Sequence, residues 1–376
     1  MPPPHGGSRF GAAFLNHSLL TVVLVLAFTG ACADPPPPLI AYAAGPGSIE
    51  VIRVAREELA TGDSSRAVRI WYDSLVGIGQ ADVEVQRAEK IVSLPGLVTV
   101  VGHNASRGSL VAAPIYNDAG IPMVVPTATS RLLEDAGPWT MMLAPSDSAE
   151  GRFICEFVQA RFGTPSITIF FVTDEYGIGL RDGVATACAG MGIPIGDEVA
   201  FSPGSDLELL VQASLRRSRP GMVFIAGRPG ETTSIKRSLD QLLPGIPVIT
   251  GDGAFDERRL REFGSDVLGG LYAVAFWLPI PDDSLSAAFI ERFQRLNGRL
   301  PGASEAMAYD CLMVVARAIN EAGPSPGRVR DYLMELGRSR PAYSGVTGPV
   351  MFGPGRPDRM QIVGWSSGRL AVQDFP

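Results

Sequence analysis

The chain has 376 residues, 46% hydrophobic and 19% charged, with a formal net charge of −7. That length accommodates two domains with separate cores, and the composition is that of a globular chain rather than a disordered one. With no basic cluster to neutralise phosphates, the acidic balance argues against a nucleic-acid partner, and three histidines and four cysteines at no metal-ligand spacing argue against a structural zinc site.

Residues 1–32 read as an export signal. Arg9 supplies a weak positive start, residues 19–28 form an almost unbroken apolar run, and Gly30-Ala31-Cys32 gives small residues for cleavage. A run of about 10 apolar residues falls short of the roughly 20 that cross a bilayer. Two cleavage readings stand. Thr29-Gly30-Ala31-Cys32 resembles a bacterial lipobox with Cys32 as the lipidated terminus, although Thr29 stands where an aliphatic residue is usual. Ala31-Cys32-Ala33 also fits an ordinary small-x-small site. With a lipid anchor, the proline-rich linker at 33–38 becomes a stiff spacer off the membrane. Either way the chain is expected in the periplasm or cell envelope.

From residue 39 short apolar runs alternate with helical patterns. Strands are expected at 39–42, 68–72, 98–101 and 121–125, separated by helices at 49–59, 81–94 and 107–119. A second series opens with a helix carrying Phe153, Ile154, Phe157 and Val158 on one face. Strand 167–172, a helix to about 191, helix 207–215 and strands 222–226 and 246–250 with a helix between them follow. After 271–276, helical patterns resume at 285–296, 306–322 and 329–336, and the tail at 345–372 reads as short strands with Gly and Pro turns. Such alternation predicts βαβ units and parallel sheets, and two series predict two similar lobes. No Gly-x-Gly-x-x-Gly follows a strand and no Walker loop is present, so no nucleotide cofactor is expected. Pro114 falls inside the 107–119 helix at a cost of about 3 kcal/mol, which predicts a bend or a short first segment.

The stretch 98–130 carries the most information. Two neighbouring parallel strands there would deliver Ser106 and Thr129 to the same sheet edge, outside the carboxyl ends of the strands, where open α/β sheets bind ligands. Ser106 occupies an expected N-cap, where its hydroxyl and the free N–H groups of the next turn cradle an anion. Either hydroxyl could equally serve its own backbone. Tyr176, in the turn 174–179 after strand 167–172, can reach across a cleft with a ring face and a hydroxyl. Arg228 and Asp252 follow two further strands and suit an anionic and a cationic group, against the plainer readings of a surface arginine and a turn aspartate. His103, Ser106 and an aspartate make a triad on paper only, since no Gly-x-Ser-x-Gly elbow surrounds the serine. An enzyme is therefore not expected. Cys155 and Cys188 fall on two helices of one lobe, either as a disulfide or as buried thiols.

Taken in order, these pieces resemble the type 1 periplasmic binding proteins of branched-chain amino-acid transporters. Gly102-His103-Asn104-Ala105-Ser106 and Pro126-Thr127-Ala128-Thr129-Ser130 look like that family's two ligand loops. Asp174 to Gly179 is similar to its Asp-x-Tyr-Gly-x-Gly turn. Ser146-Asp147 with Glu150-Gly151, Ala308-Tyr309-Asp310 and the stretch 343–352 match further motifs. The resemblance implies two Rossmann-like α/β lobes joined by three crossovers, with 39–145 plus 275–340 in lobe 1 and 146–274 plus 341–376 in lobe 2. It implies an amino acid or similar ligand, its carboxylate at Ser106 and Thr129, its ammonium at the Ala128 carbonyl and an acidic residue of the second lobe, and Tyr176 closing over it. The implied partner is the membrane permease of an ABC transporter; a sensory receptor domain or a non-binding interaction module are the other uses of the same fold. The chain departs from the pattern in its short first loop at 44–48, at Met142 for arginine, Glu150 for glutamine and Arg228 for an aromatic residue. Gly253 stands near the usual acidic position, which leaves Asp252 as the substitute. Arg228 suggests an extra anionic group on the ligand.

Overall fold

The strand runs pair as two sheets. In the first, β1 (Leu39–Ala43), β2 (Arg69–Tyr72), β3 (Leu97–Gly102), β4 (Met123–Val125) and β5 (Thr140–Met142) lie in the order β2-β1-β3-β4-β5, all parallel. In the second, β6 (Ile167–Val172), β7 (Ile195–Phe201), β8 (Met222–Ala226), β9 (Val248–Thr250) and β10 (Leu271–Ala275) are parallel, and β13 (Gln361–Ser366) and β14 (Arg369–Val372) extend the edge antiparallel. This is a computed structural model, and it describes residues 36–43, 49–61, 68–73, 79–281, 283–366 and 368–375. The export signal with Cys32 and the loop at 44–48 lie outside the described residues.

Helices cover both faces of each sheet, which is why the central strands are continuous apolar runs. Below the first sheet, α1 (Ile49–Thr61), α9 (Ser284–Asn297), α10 (Ala303–Ala322) and α11 (Pro326–Glu335) share a core with Ile40, Tyr42, Val98 and Val101. Above it, α2 (Ala81–Val92) and α3 (Ser106–Ala119) bury Ala88, Ile91, Ala112, Ala113 and Tyr116. The second sheet carries α4 (Asp147–Phe162), α5 (Glu175–Gly190), α6 (Leu207–Arg217), α7 (Pro229–Leu242) and α8 (Glu257–Gly264). A disulfide, Cys155–Cys188, ties α4 to α5 with Cα atoms 5.6 Å apart, and Cys311 is a buried free thiol. The chain passes between the two sheets three times, at 143–146, 276–283 and 351–360. No helix among the described residues is long and apolar enough to cross a membrane.

Several expectations change. α3 is one helix through Pro114, with no separate first segment. Strand β7 was not expected: Gly196, Asp197 and Glu198 disfavour a strand, and its alternating burial belongs to a sheet edge. The hairpin β11 (Tyr343–Gly345) and β12 (Gly348–Val350) sits with the first core, not the second lobe to which 341–376 was assigned; Val346, Val350 and Phe352 are buried there. Asp310 of α10 holds it, accepting from Val346 N and Thr347 N, both at 2.8 Å, and from the Thr347 hydroxyl at 2.5 Å. Only β13 and β14 of the tail join the second sheet.

Candidate functional site

β3 and β4 pair in parallel and end together, so the loops 102–106 and 126–130 share one sheet edge. The hydroxyl of Thr127 donates to Asn104 O (3.0 Å) and locks the two loops to each other. α3 begins at Ser106 itself, with Ala105 at the N-cap and no side-chain cap. The expected cap is thus one residue off. The first N–H groups of that helix lack intrahelical acceptors, and Ser106, its first residue, is buried. Thr129 is 1% exposed; its hydroxyl lies against the Asp147 carboxyl but makes no hydrogen bond of ordinary geometry.

His103 does not face this edge. It is fully buried, with Nδ1 on the Glu84 carboxyl (2.5 Å) and Nε2 on the Tyr116 hydroxyl (3.1 Å). Glu84 also accepts from Gly79 N (2.9 Å) and pairs with Arg87, which reaches Asp73 at 3.0 Å. Burial alone would raise the Glu84 pKa; His103, Gly79 and Arg87 outweigh it and hold it at about 2. The network anchors the loop from beneath, and Ser109 Oγ donates to His103 O (2.8 Å) from the next turn. The paper triad is therefore not assembled.

The facing half comes from the second sheet. Asp174 caps α5 by accepting from Gly177 N (2.9 Å), which turns Tyr176 toward β9. The Tyr176 hydroxyl accepts from Gly253 N at 2.9 Å, and Glu150 Oε1 accepts from Asp252 N at 2.8 Å. A Cβ on Gly253 would lie 2.6 Å from the Tyr176 hydroxyl oxygen and ring, which accounts for glycine at this position. Arg228 does not wait for an anion: its guanidinium pairs with Asp174 (2.7 Å) and covers the Tyr176 ring, 5.6 Å from the centroid. This weighs against the extra anionic ligand group suggested above. Arg107 of α3 meets Glu175 of α5 at 2.6 Å, an ion pair that spans the two sheets.

Three carboxyl groups converge under the floor. Burial, then the charges of Asp252 and Asp182, pushes Asp147 up to about 7 against the Thr129 hydroxyl. Burial raises Asp252 to about 6, although Glu150, Tyr176, Gly253 and Arg228 oppose it. Burial and the Asp252 charge hold Glu150 well above its ordinary value. Asp147 Oδ1 and Oδ2, Glu150 Oε2 and Asp252 Oδ1 are buried without hydrogen-bond partners. The second-lobe half is thus an electronegative wall with unspent acceptors, opposite hydroxyls and free N–H groups. Sequence reasoning noted Asp147 and Glu150 only as motif letters; their signal was two acids three apart at a helix start.

Ser106, Ala128, Thr129, Tyr176, Arg228 and Asp252 line a single cavity of about 310 Å³, together with Asn104, Gly253, Phe255, Asp256 and Ser304. No cluster of potential metal ligands occurs among the described residues. The arrangement offers donors at one end and acceptors at the other, with no activated nucleophile.

Residues 41–365 match the family model described as periplasmic binding protein. A leucine-, isoleucine-, valine-, threonine- and alanine-binding protein of Pseudomonas aeruginosa is 25% identical over 270 residues, 70% of each chain. Among solved structures, a leucine binding protein of Thermotoga maritima superimposes with a TM-score of 0.79 at 20% identity, over 90% of this chain and 98% of its own. A branched-chain amino acid transporter substrate binding protein of Streptococcus pneumoniae, in complex with isoleucine, gives 0.78 at 17% identity, over 90% and 100%.

Proposed function

We propose, from the premise that this chain belongs to the periplasmic binding protein family, that its cleft captures a small solute bearing both a carboxylate and an ammonium, an amino acid or a near relative. As a member of that family it is a solute-binding protein of the periplasm. The finer reading is delivery of the solute to the permease of an ABC transporter, from a chain tethered through lipid on Cys32. In this reading Ser106, Thr129 and the start of α3 take the carboxylate, because hydroxyls and free N–H groups are what an anion needs. The Ala128 carbonyl and Asp252 take the ammonium, and Tyr176 closes the site from the second lobe.

One observation carries the proposal: Asp252, which has a buried, unpartnered carboxyl oxygen, lines the same cavity as the hydroxyl edge of Ser106 and Thr129. A buried carboxylate without a partner is costly, and an ammonium beside it removes the cost. The test is a thermal-shift screen of amino acids against their des-amino carboxylates. A bound amino acid at about 100 times its dissociation constant adds roughly 2.7 kcal/mol to stability. Asp252→Asn should weaken the amino acid and spare the des-amino compound. Equal losses for both would refute the assignment of the ammonium.

A further inference from the structure

The cavity just described does not end at the amino-acid end of the site. Phe255, Asp256 and Ser304 also border a second cavity of about 460 Å³, which runs between α8 of the second lobe and the start of α10 in the first. Either volume alone falls within the roughly 300–1,000 Å³ of small-ligand sites. The first suffices for an amino-acid head with a short side chain, so the second is surplus unless the solute enters it.

We infer that the solute's side chain passes Phe255 and Ser304 into this second cavity, and that the ligand is an amino acid with a long, bulky and uncharged side chain, aryl-bearing above all. This rests on the amino-acid reading and adds the side-chain class. The walls decide the chemistry. Trp277, Leu278, Pro279, Leu300 and Pro301 present apolar surface, and the one polar atom of the Trp277 side chain is already spent, its Nε1 donating to Val346 O at 3.1 Å. The cations of the lining are matched within the chain. Arg258 holds Glu262 (2.7 Å), Arg261 holds Glu257 (2.7 Å) and Arg299 holds Glu305 (2.6 Å). An anionic side chain would have to break one of these pairs, and a cationic one would have to compete with Arg258 and Arg259 for Asp256 (4.0 and 3.9 Å), whereas an uncharged one gains burial. Phe255 stands at the passage, where an aromatic ring favours another ring by edge or offset contact.

The experiment is titration calorimetry with alanine, leucine, phenylalanine and homophenylalanine on the full chain. Affinity should rise about tenfold or more from alanine to homophenylalanine, since each buried methylene adds a factor of about four. Two variants confined to the second cavity test the route: Ala303→Trp fills it, and Leu300→Asp, on a half-exposed side chain, places a charge at its wall without threatening the fold. Each should weaken homophenylalanine about tenfold and leave alanine within about twofold. Leucine binding as tightly as homophenylalanine in the unmodified protein would overturn the inference while leaving the amino-acid reading intact. So would equal losses for alanine and homophenylalanine in both variants. Binding of none of the four would overturn both.

Discussion

Replacing Asp147 by asparagine should change how stability depends on pH. The carboxyl titrates near 7 in the folded chain against an ordinary 3.8, so between about pH 4 and 7 the folded state holds a proton that the unfolded state has released. Stability therefore falls as pH rises through that window. About three pH units at about 1.4 kcal/mol each make the effect on the order of 4 kcal/mol. Asp252, at about 6, acts in the same direction, and because the two charges repel each other their effects do not simply add. Asp147→Asn removes the titrating group and leaves no orphaned partner, since both its oxygens lack hydrogen bonds. The variant should exceed the parent by less than about 2 kcal/mol near pH 5 and by about 4 kcal/mol near pH 8. In a chain of this size that amounts to several degrees in Tm. Calorimetric melts of ligand-free parent and variant across pH 4.5–8.5 measure it. Parallel curves would refute the argument, because they would mean Asp147 has the same proton affinity folded and unfolded.

Three further outcomes are expected. Ser106→Ala and Thr129→Val should each weaken a bound amino acid by roughly 1–3 kcal/mol by stranding a carboxylate oxygen, and unchanged calorimetric affinities in both would dismiss the hydroxyl edge. Gly253→Ala forces Tyr176 aside, and overpacking of this kind costs about 1–3 kcal/mol; a crystal structure with Tyr176 still hydrogen-bonded to residue 253 would contradict it. The double replacement Cys155→Ser and Cys188→Ser opens a crosslink spanning 33 residues. It should lower the denaturant midpoint by the equivalent of about 3–4 kcal/mol, and an unchanged midpoint would show that the packing of α4 on α5 suffices.

The half of the site on β3 and β4 was legible because its determinants are local. Buried parallel strands read as continuous apolar runs, and a polar turn at the end of each run places Ser106 and Thr129 without knowledge of anything distant. Even so, the helix start fell one residue from its expected place, since Ala105 rather than Ser106 takes the extended backbone of the cap. The other half depends on long-range encounters. Nothing near Arg228 reveals that Asp174, 54 residues earlier, neutralises it. Nothing near Gly253 reveals the Tyr176 ring that excludes a side chain there. The lobe to which 343–350 belongs is set by Asp310, 36 residues before Val346. Strand β7 was missed because an edge strand is half solvated and its polar residues break the apolar run.

The order of elements also fixes a timetable for synthesis. The first sheet is complete once β5 has emerged at Met142, yet one of its two faces is covered chiefly by α10, which ends at Ala322. At roughly 5–20 residues per second, those intervening 180 residues take on the order of ten seconds or more. Meanwhile the five parallel strands of the second sheet and their helices are finished. The sheet that is made first therefore keeps its face of Ile40, Tyr42, Val98 and Val101 largely uncovered until the parallel strands of the second sheet have been made.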